Sequence, residues 1–134
     1  MNSEMRIKWF MYTVCIGLLP ISLRFLLTVL GADIPSVSIS DVIAFGFVLH
    51  ISMLNEIEHV IGQKVWKTTI NGISIVAIFA YGAFSCALMM HESGVKLDMD
   101  AFENIAFLAA VVSFLISLSV FCRPNQISGV ENAY

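Results

Sequence analysis

His50, Ser52, Asn55, Glu56, Glu58 and His59 crowd the second half of the stretch DVIAFGFVLHISMLNEIEHVIG, residues 41 to 62. Such side chains can move protons, pair charges or ligate a metal. On a helix Asn55 and His59 are four residues apart and Glu56 and His59 three, so they meet on one face. Glu56 and His59 alone fall short of the ligand number that a zinc site requires. At about 100° per residue, Asp41, Ser52, Asn55, Glu56 and His59 fall within roughly 60° of one line, with His50 opposite and Glu58 off the line. The polar face reads as turned to its own bundle or to a partner, with its far end emerging into water, docking a cytoplasmic protein or lining a vestibule. His50, alone near mid-span, is expected to hydrogen-bond a serine of the third or fourth helix. A second pair is Arg24 and Asp41, read as a structural ion pair or as a charge that lines a pathway or senses a disturbance of the outer leaflet. Arg24 could also reach lipid phosphates, since long basic side chains snorkel.

These residues sit in a chain of 134 residues that is 58% hydrophobic and only 13% charged, with a formal charge of −3. Soluble domains run nearer 45–50% apolar and about 25% charged. The excess gathers into four runs, so the expected fold is an all-α membrane protein of one domain, residues 1–134, with helices at about 9–30, 41–61, 68–90 and 105–122. The first run is longer than a signal-peptide core, so it is read as a retained helix. Cys15, Cys86 and Cys122 lie within apolar runs and read as small hydrophobes. Short links predict an up-down-up-down bundle.

Orientation follows from the basic residues. Arg6, Lys8, Lys64, Lys67 and Arg123 fall on one side of the predicted bundle and only Lys96 in the links on the other. The positive-inside rule then puts both termini in the cytoplasm. In a bacterium this would be a multi-pass protein of the inner membrane. Ala109, Ser113 and Ser117 repeat every fourth residue on the last helix, a small-xxx-small strip expected to face another copy. A homo-oligomer is therefore expected, with a tetramer as one candidate. Glu56, His59, Lys64, Trp66 and Lys67 gather at the cytoplasmic surface as a mixed patch that suits a protein partner. Direct nucleic-acid binding would need excess positive charge. Arg24, Asp41, His50 and Asn55 are the intramembrane polar set. No catalytic constellation and no cofactor motif stands out, so the expectation is a non-enzyme without cofactor.

In layout, WFMYTVCIGLLPISLRF followed by a short outer link and a polar-ended second helix resembles the KwaA family, the small membrane subunits of bacterial Kiwa anti-phage systems. The resemblance implies a homo-oligomeric inner-membrane component that senses phage attack at the envelope and acts with a cytoplasmic, DNA-binding KwaB-like effector. Two other classes fit the same layout: an immunity protein against a membrane pore-forming toxin, and a small channel or holin that permeabilises the bilayer. The topology is directly testable. A reporter fused after Tyr134 should read cytoplasmic and one inserted near Ser93 external; the reverse pattern would overturn the orientation.

Overall fold

The computed structural model of the chain describes residues 3–58 and 62–121. His59, the Trp9 side chain and everything from Cys122 onward, Arg123 included, lie outside that description. Among the described residues there are four helices, α1 (Ser3–Val29), α2 (Ile39–Glu58), α3 (Lys64–Glu92) and α4 (Met99–Phe121), and no strand. All four are long and apolar enough to cross a membrane.

The helices reach further into polar sequence than expected. α1 begins at Ser3 rather than Trp9, α3 at Lys64 rather than Thr68, and α4 at Met99 rather than Ile105. The reason lies in their ends. Asp98 Oδ1 accepts the Ala101 N–H at 3.2 Å, a side-chain cap that starts α4. Asp100 follows in the first turn, where an acid complements the helix dipole. Lys64, Trp66 and Lys67 are therefore the first turn of α3 rather than a link. Gln63 turns the chain into that helix with φ 50 and ψ 50, left-handed backbone that a non-glycine residue seldom adopts. Helices α1 and α3 each stop at a glycine with positive φ. At Gly31 the Ala32 N–H reaches back to Leu27 O and Gly31 N–H to Thr28 O, both at 3.0 Å. Gly94 and Val95 repeat the arrangement on His91 and Met90, which satisfies the last carbonyls of α3.

The packing is centred on one helix. α2 contacts each of the other three, whereas α3 and α4 touch each other far less than either touches α2. In α2 39% of the span is buried, against 11% in α1 and α3 and 28% in α4. Its buried face is the row Val42, Ile43, Gly46, Leu49, His50, Met53, Glu56 and Ile57. Met53 and Ile57 join Val120 of α4 in a core cluster, edged by Trp66, Ile70, Ile116 and Phe121. α1 is held by aromatic contacts: Phe10 lies 5.2 Å from Phe121 and 6.4 Å from Phe114, and Phe45 of α2 lies 6.3 Å from the same Phe114.

Two glycines set how closely helices approach α2. A Cβ on Gly17 would meet the Phe45 ring at 2.9 Å. A Cβ on Gly46 would fall inside the Tyr81 ring. Gly46→Val should therefore destabilise the bundle by about 2–3 kcal/mol. Gly72 has nothing within 4 Å of the same position. Gly72→Ala should leave stability unchanged or raise it by up to about 1 kcal/mol through helix propensity. Unfolding of both variants by steric trapping in bicelles compares the two; equal behaviour would mean that α2 and α3 do not meet through Gly46.

Candidate functional site: a buried hydroxyl and imidazole network

The polar groups collect at two places, one inside the bundle and one at the beginning of α2. Inside, His50 Nε2 lies 2.8 Å from Ser113 Oγ, and Tyr81 Oη lies 2.8 Å from the same oxygen. The residues come from α2, α4 and α3 respectively, so one serine hydroxyl joins three helices. His50, Tyr81 and Ser113 are all buried. Tyr81 also packs its ring against His50 at 6.0 Å, Phe47 at 5.9 Å and Phe84 edge-on at 5.9 Å. Gly46 makes this possible, because the tyrosine ring occupies the space that a side chain would fill.

The direction of the chain of protons follows the His50 tautomer. If Tyr81 donates to Ser113 and Ser113 donates to Nε2, each proton is used once and the imidazole carries its proton on Nδ1. Nδ1 is buried and has no partner, and so are Asn71 Oδ1, Ser74 Oγ and Ser117 Oγ. A buried polar group left unpaired costs about 1–3 kcal/mol. Four of them among the described residues is a concentration that calls for a physical account. Ser113 and His50 have the atom types of a nucleophile and a base, but no carboxylate among the described residues bonds Nδ1 to complete a triad.

At the beginning of α2, Arg24 Nε donates to Asp41 Oδ2 at 2.7 Å, with 31% and 12% of the two side chains exposed. Thr28 Oγ1 donates to Arg24 O and to Ile34 O, tying the end of α1 to the link beyond it. Ser38 O accepts the Asp41 and Val42 N–H groups as α2 begins. The pair expected from sequence is thus formed across the α1–α2 corner.

The other sequence-predicted residues separate. Glu56 is buried at 9% exposure and does not lie on a docking surface. It stands seven residues after Leu49, almost two full turns, and so shares the buried face of α2 rather than emerging into water. Asn55, one residue earlier, is exposed. Lys64 is exposed, and Lys67 Nζ donates to Glu58 O at 3.3 Å, placing a cation on the carbonyl end of α2. Trp66 is half-buried against the protomer's own core cluster. Among the described residues no group of three His, Cys, Asp or Glu side chains could hold a metal.

The strip expected to meet another copy is used inside this protomer. Ser113 and Ser117 are buried, at 5% and 1% exposure, and Ala109 is half-buried. Small side chains let α4 lie close to α2 and aim a hydroxyl at His50; the same spacing serves an internal contact as readily as an external one. Sequence reasoning passed over Tyr81 altogether. Its signal was available: a hydroxyl-bearing aromatic in mid-span, beside Gly82 and Ala83, needs a hydrogen-bond partner when buried.

No family model, curated protein or solved structure matches the chain. The network itself gives the next test. Ser113→Ala should cost about 1–3 kcal/mol by leaving both His50 and Tyr81 unpaired. Tyr81→Phe alone should cost about 1 kcal/mol, and in the Ser113→Ala background nothing. A double-mutant cycle in bicelles measures this; additive costs would show that the hydroxyl does not link the two.

Proposed function

We propose that this chain is a signal-relaying subunit of a bacterial inner-membrane defence complex of the Kiwa type, sensing perturbation of the envelope and tethering a cytoplasmic effector. The observation that carries the reading is the position of α2. It holds the Arg24–Asp41 pair at its first turn, contacts every other helix along its length, and ends beside Lys64, Trp66 and Lys67. A displacement of α1 against α2 at the ion pair has a continuous, packed path to the far end of the same helix. The layout resemblance to the KwaA family supports the same assignment.

In this reading the helices run up, down, up and down, with both termini and the α2–α3 turn in the cytoplasm. The side-chain contacts agree with antiparallel neighbours: Arg24 meets Asp41, while Gly17, earlier in α1, meets Phe45, later in α2. Another copy meets α3, which exposes Val76, Phe79, Ala80 and Ala83. The docking surface is Lys64, Lys67, Glu58 and the exposed edge of Trp66, with Glu56 withdrawn from it and His59 close by in sequence.

The test is capture of the cytoplasmic protein encoded beside this chain, with membranes solubilised in mild detergent. Lys64→Glu with Lys67→Glu should lower recovery at least tenfold, and Trp66→Ala should weaken the complex by about 2 kcal/mol if it anchors the partner. Because Trp66 also edges the core, the thermal midpoint of each variant is measured alongside. Arg24→Gln should leave capture intact and abolish protection against phage. Equal recovery by all variants would remove the docking site, and full protection by Arg24→Gln would remove the sensing role.

A further inference from the structure

α3 and α4 meet at one end and part at the other. They touch where Tyr81 bonds Ser113 and where Phe84 meets Phe102 edge-on at 5.8 Å. Towards the beginning of α3 they diverge around an open groove of about 420 Å³, walled by Trp66, Ile70 and Ile73 on α3 and by Ile116 and Ser119 on α4. Val120, 6% exposed, is its floor, and Met53 and Ile57 of α2 lie behind Val120.

Four unpartnered buried polar atoms lie on the same three helices: His50 Nδ1 on α2, Asn71 Oδ1 and Ser74 Oγ on α3, and Ser117 Oγ on α4. Asn71, Ser74 and Tyr81 share one side of α3, within about 80° of each other, and Ser113 and Ser117 are one turn apart on α4. Ser74 is 0% exposed and Ser117 1%. Their hydroxyls differ from five others among the described residues. Thr28, Thr68, Thr69, Ser93 and Ser119 each donate to the carbonyl four residues back, the ordinary refuge of a hydroxyl on a helix in an apolar setting. Ser74 and Ser117 do not, and neither bonds another side chain. Together with His50 Nδ1 and Asn71 Oδ1 they form an internal set of donors and acceptors with no mutual bonds.

We propose that the seam between α2, α3 and α4 is a gated water site, taking water through the groove floor at Val120 as far as His50. In the closed packing all four atoms are shut off from solvent, which would need room to enter. Parting α3 from α4 at the Trp66 end creates that room without disturbing the Tyr81–Ser113 contact, which acts as the fixed end of the wedge. Water then gives each serine hydroxyl an acceptor, Asn71 Oδ1 a donor and His50 Nδ1 a partner of either kind. The apolar contact of Met53, Ile57 and Val120 favours closure and the unpaired polar atoms favour opening, so the seam has two states. This inference needs no partner protein and stands apart from the docking reading.

The experiment uses the full chain in lipid nanodiscs, with Cys15, Cys86 and Cys122 replaced by alanine. Single cysteines are placed at Ser74, Ser117, the exposed apolar position Leu115 and the exposed position Lys64. The probe is a trimethylammonium methanethiosulfonate, which is charged and reaches a thiol only through water. Ser74→Cys and Ser117→Cys should react at least tenfold faster than Leu115→Cys, and adding Val120→Ala should accelerate both several-fold further. Reaction no faster than at Leu115 while Lys64→Cys labels fully would overturn the proposal. If the cysteine variants fail to fold, Ser74→Ala and Ser117→Ala decide the matter. In a watered seam neither raises the thermal midpoint. In a dry seam each removes an unpaired hydroxyl and raises it, which equally overturns the proposal.

Discussion

Hydrocarbon offers no hydrogen bonds, so a helix carrying imidazole, carboxylate and amide side chains must find its solvent within the protein. α2 is the least apolar of the four spans and the most buried. That single inversion organises the rest. α3 and α4 flank the helix and α1 covers part of the remaining side, leaving exposed only Ala44, Ile51, Asn55 and Glu58 among its residues beyond the first turn. The three outer helices can then be apolar over most of their surface, because lipid is what they meet. Helix association in a bilayer draws on close packing and interhelical hydrogen bonds rather than on water exclusion. Here Gly46 supplies the first by admitting the Tyr81 ring, and Ser113 supplies the second by joining Tyr81 to His50.

The two polar sites are built on different principles. The Arg24–Asp41 pair is part-exposed at a helix corner, where water and headgroups soften the cost of holding charge. The His50 network is enclosed and its bonds involve no carboxylate or basic side chain, so it depends on geometry alone. A charge pair at the rim tolerates small movements, while a shared hydroxyl bonded at 2.8 Å on both sides does not. α2 is therefore fixed firmly against α3 and α4 and more loosely against α1.

Four apolar runs were plain in the sequence because hydropathy integrates over twenty residues. The Arg24–Asp41 pair was legible because two opposite charges flank a short link. Helix boundaries were less so: Lys64, Lys67, Asp100 and Glu103 read as loop by polarity alone, yet a span continues into water as a helix wherever caps and dipole allow. Faces were the least legible. Glu56 reads as part of a docking surface until the burial of Leu49 and Met53 fixes the rotation of α2, and Ser113 reads as a contact with another copy until α4 packs against α2. Period gives the stripe, but only the neighbours decide which way it points.

The order of synthesis adds a consequence to the corner between α1 and α2. Chains enter the bilayer from the N-terminus, so α2 arrives before α3 and α4, the helices that later enclose His50 and Glu56. During that interval the least apolar span has α1 beside it and not yet α3 or α4. Arg24, the one charged side chain in the apolar stretch of α1, already stands opposite Asp41, and Gly17 leaves a seat for Phe45. The contacts that α1 offers α2 are thus ones that need neither later helix. Once the later helices have closed around α2, α1 is left as the span with most of its surface still turned to lipid.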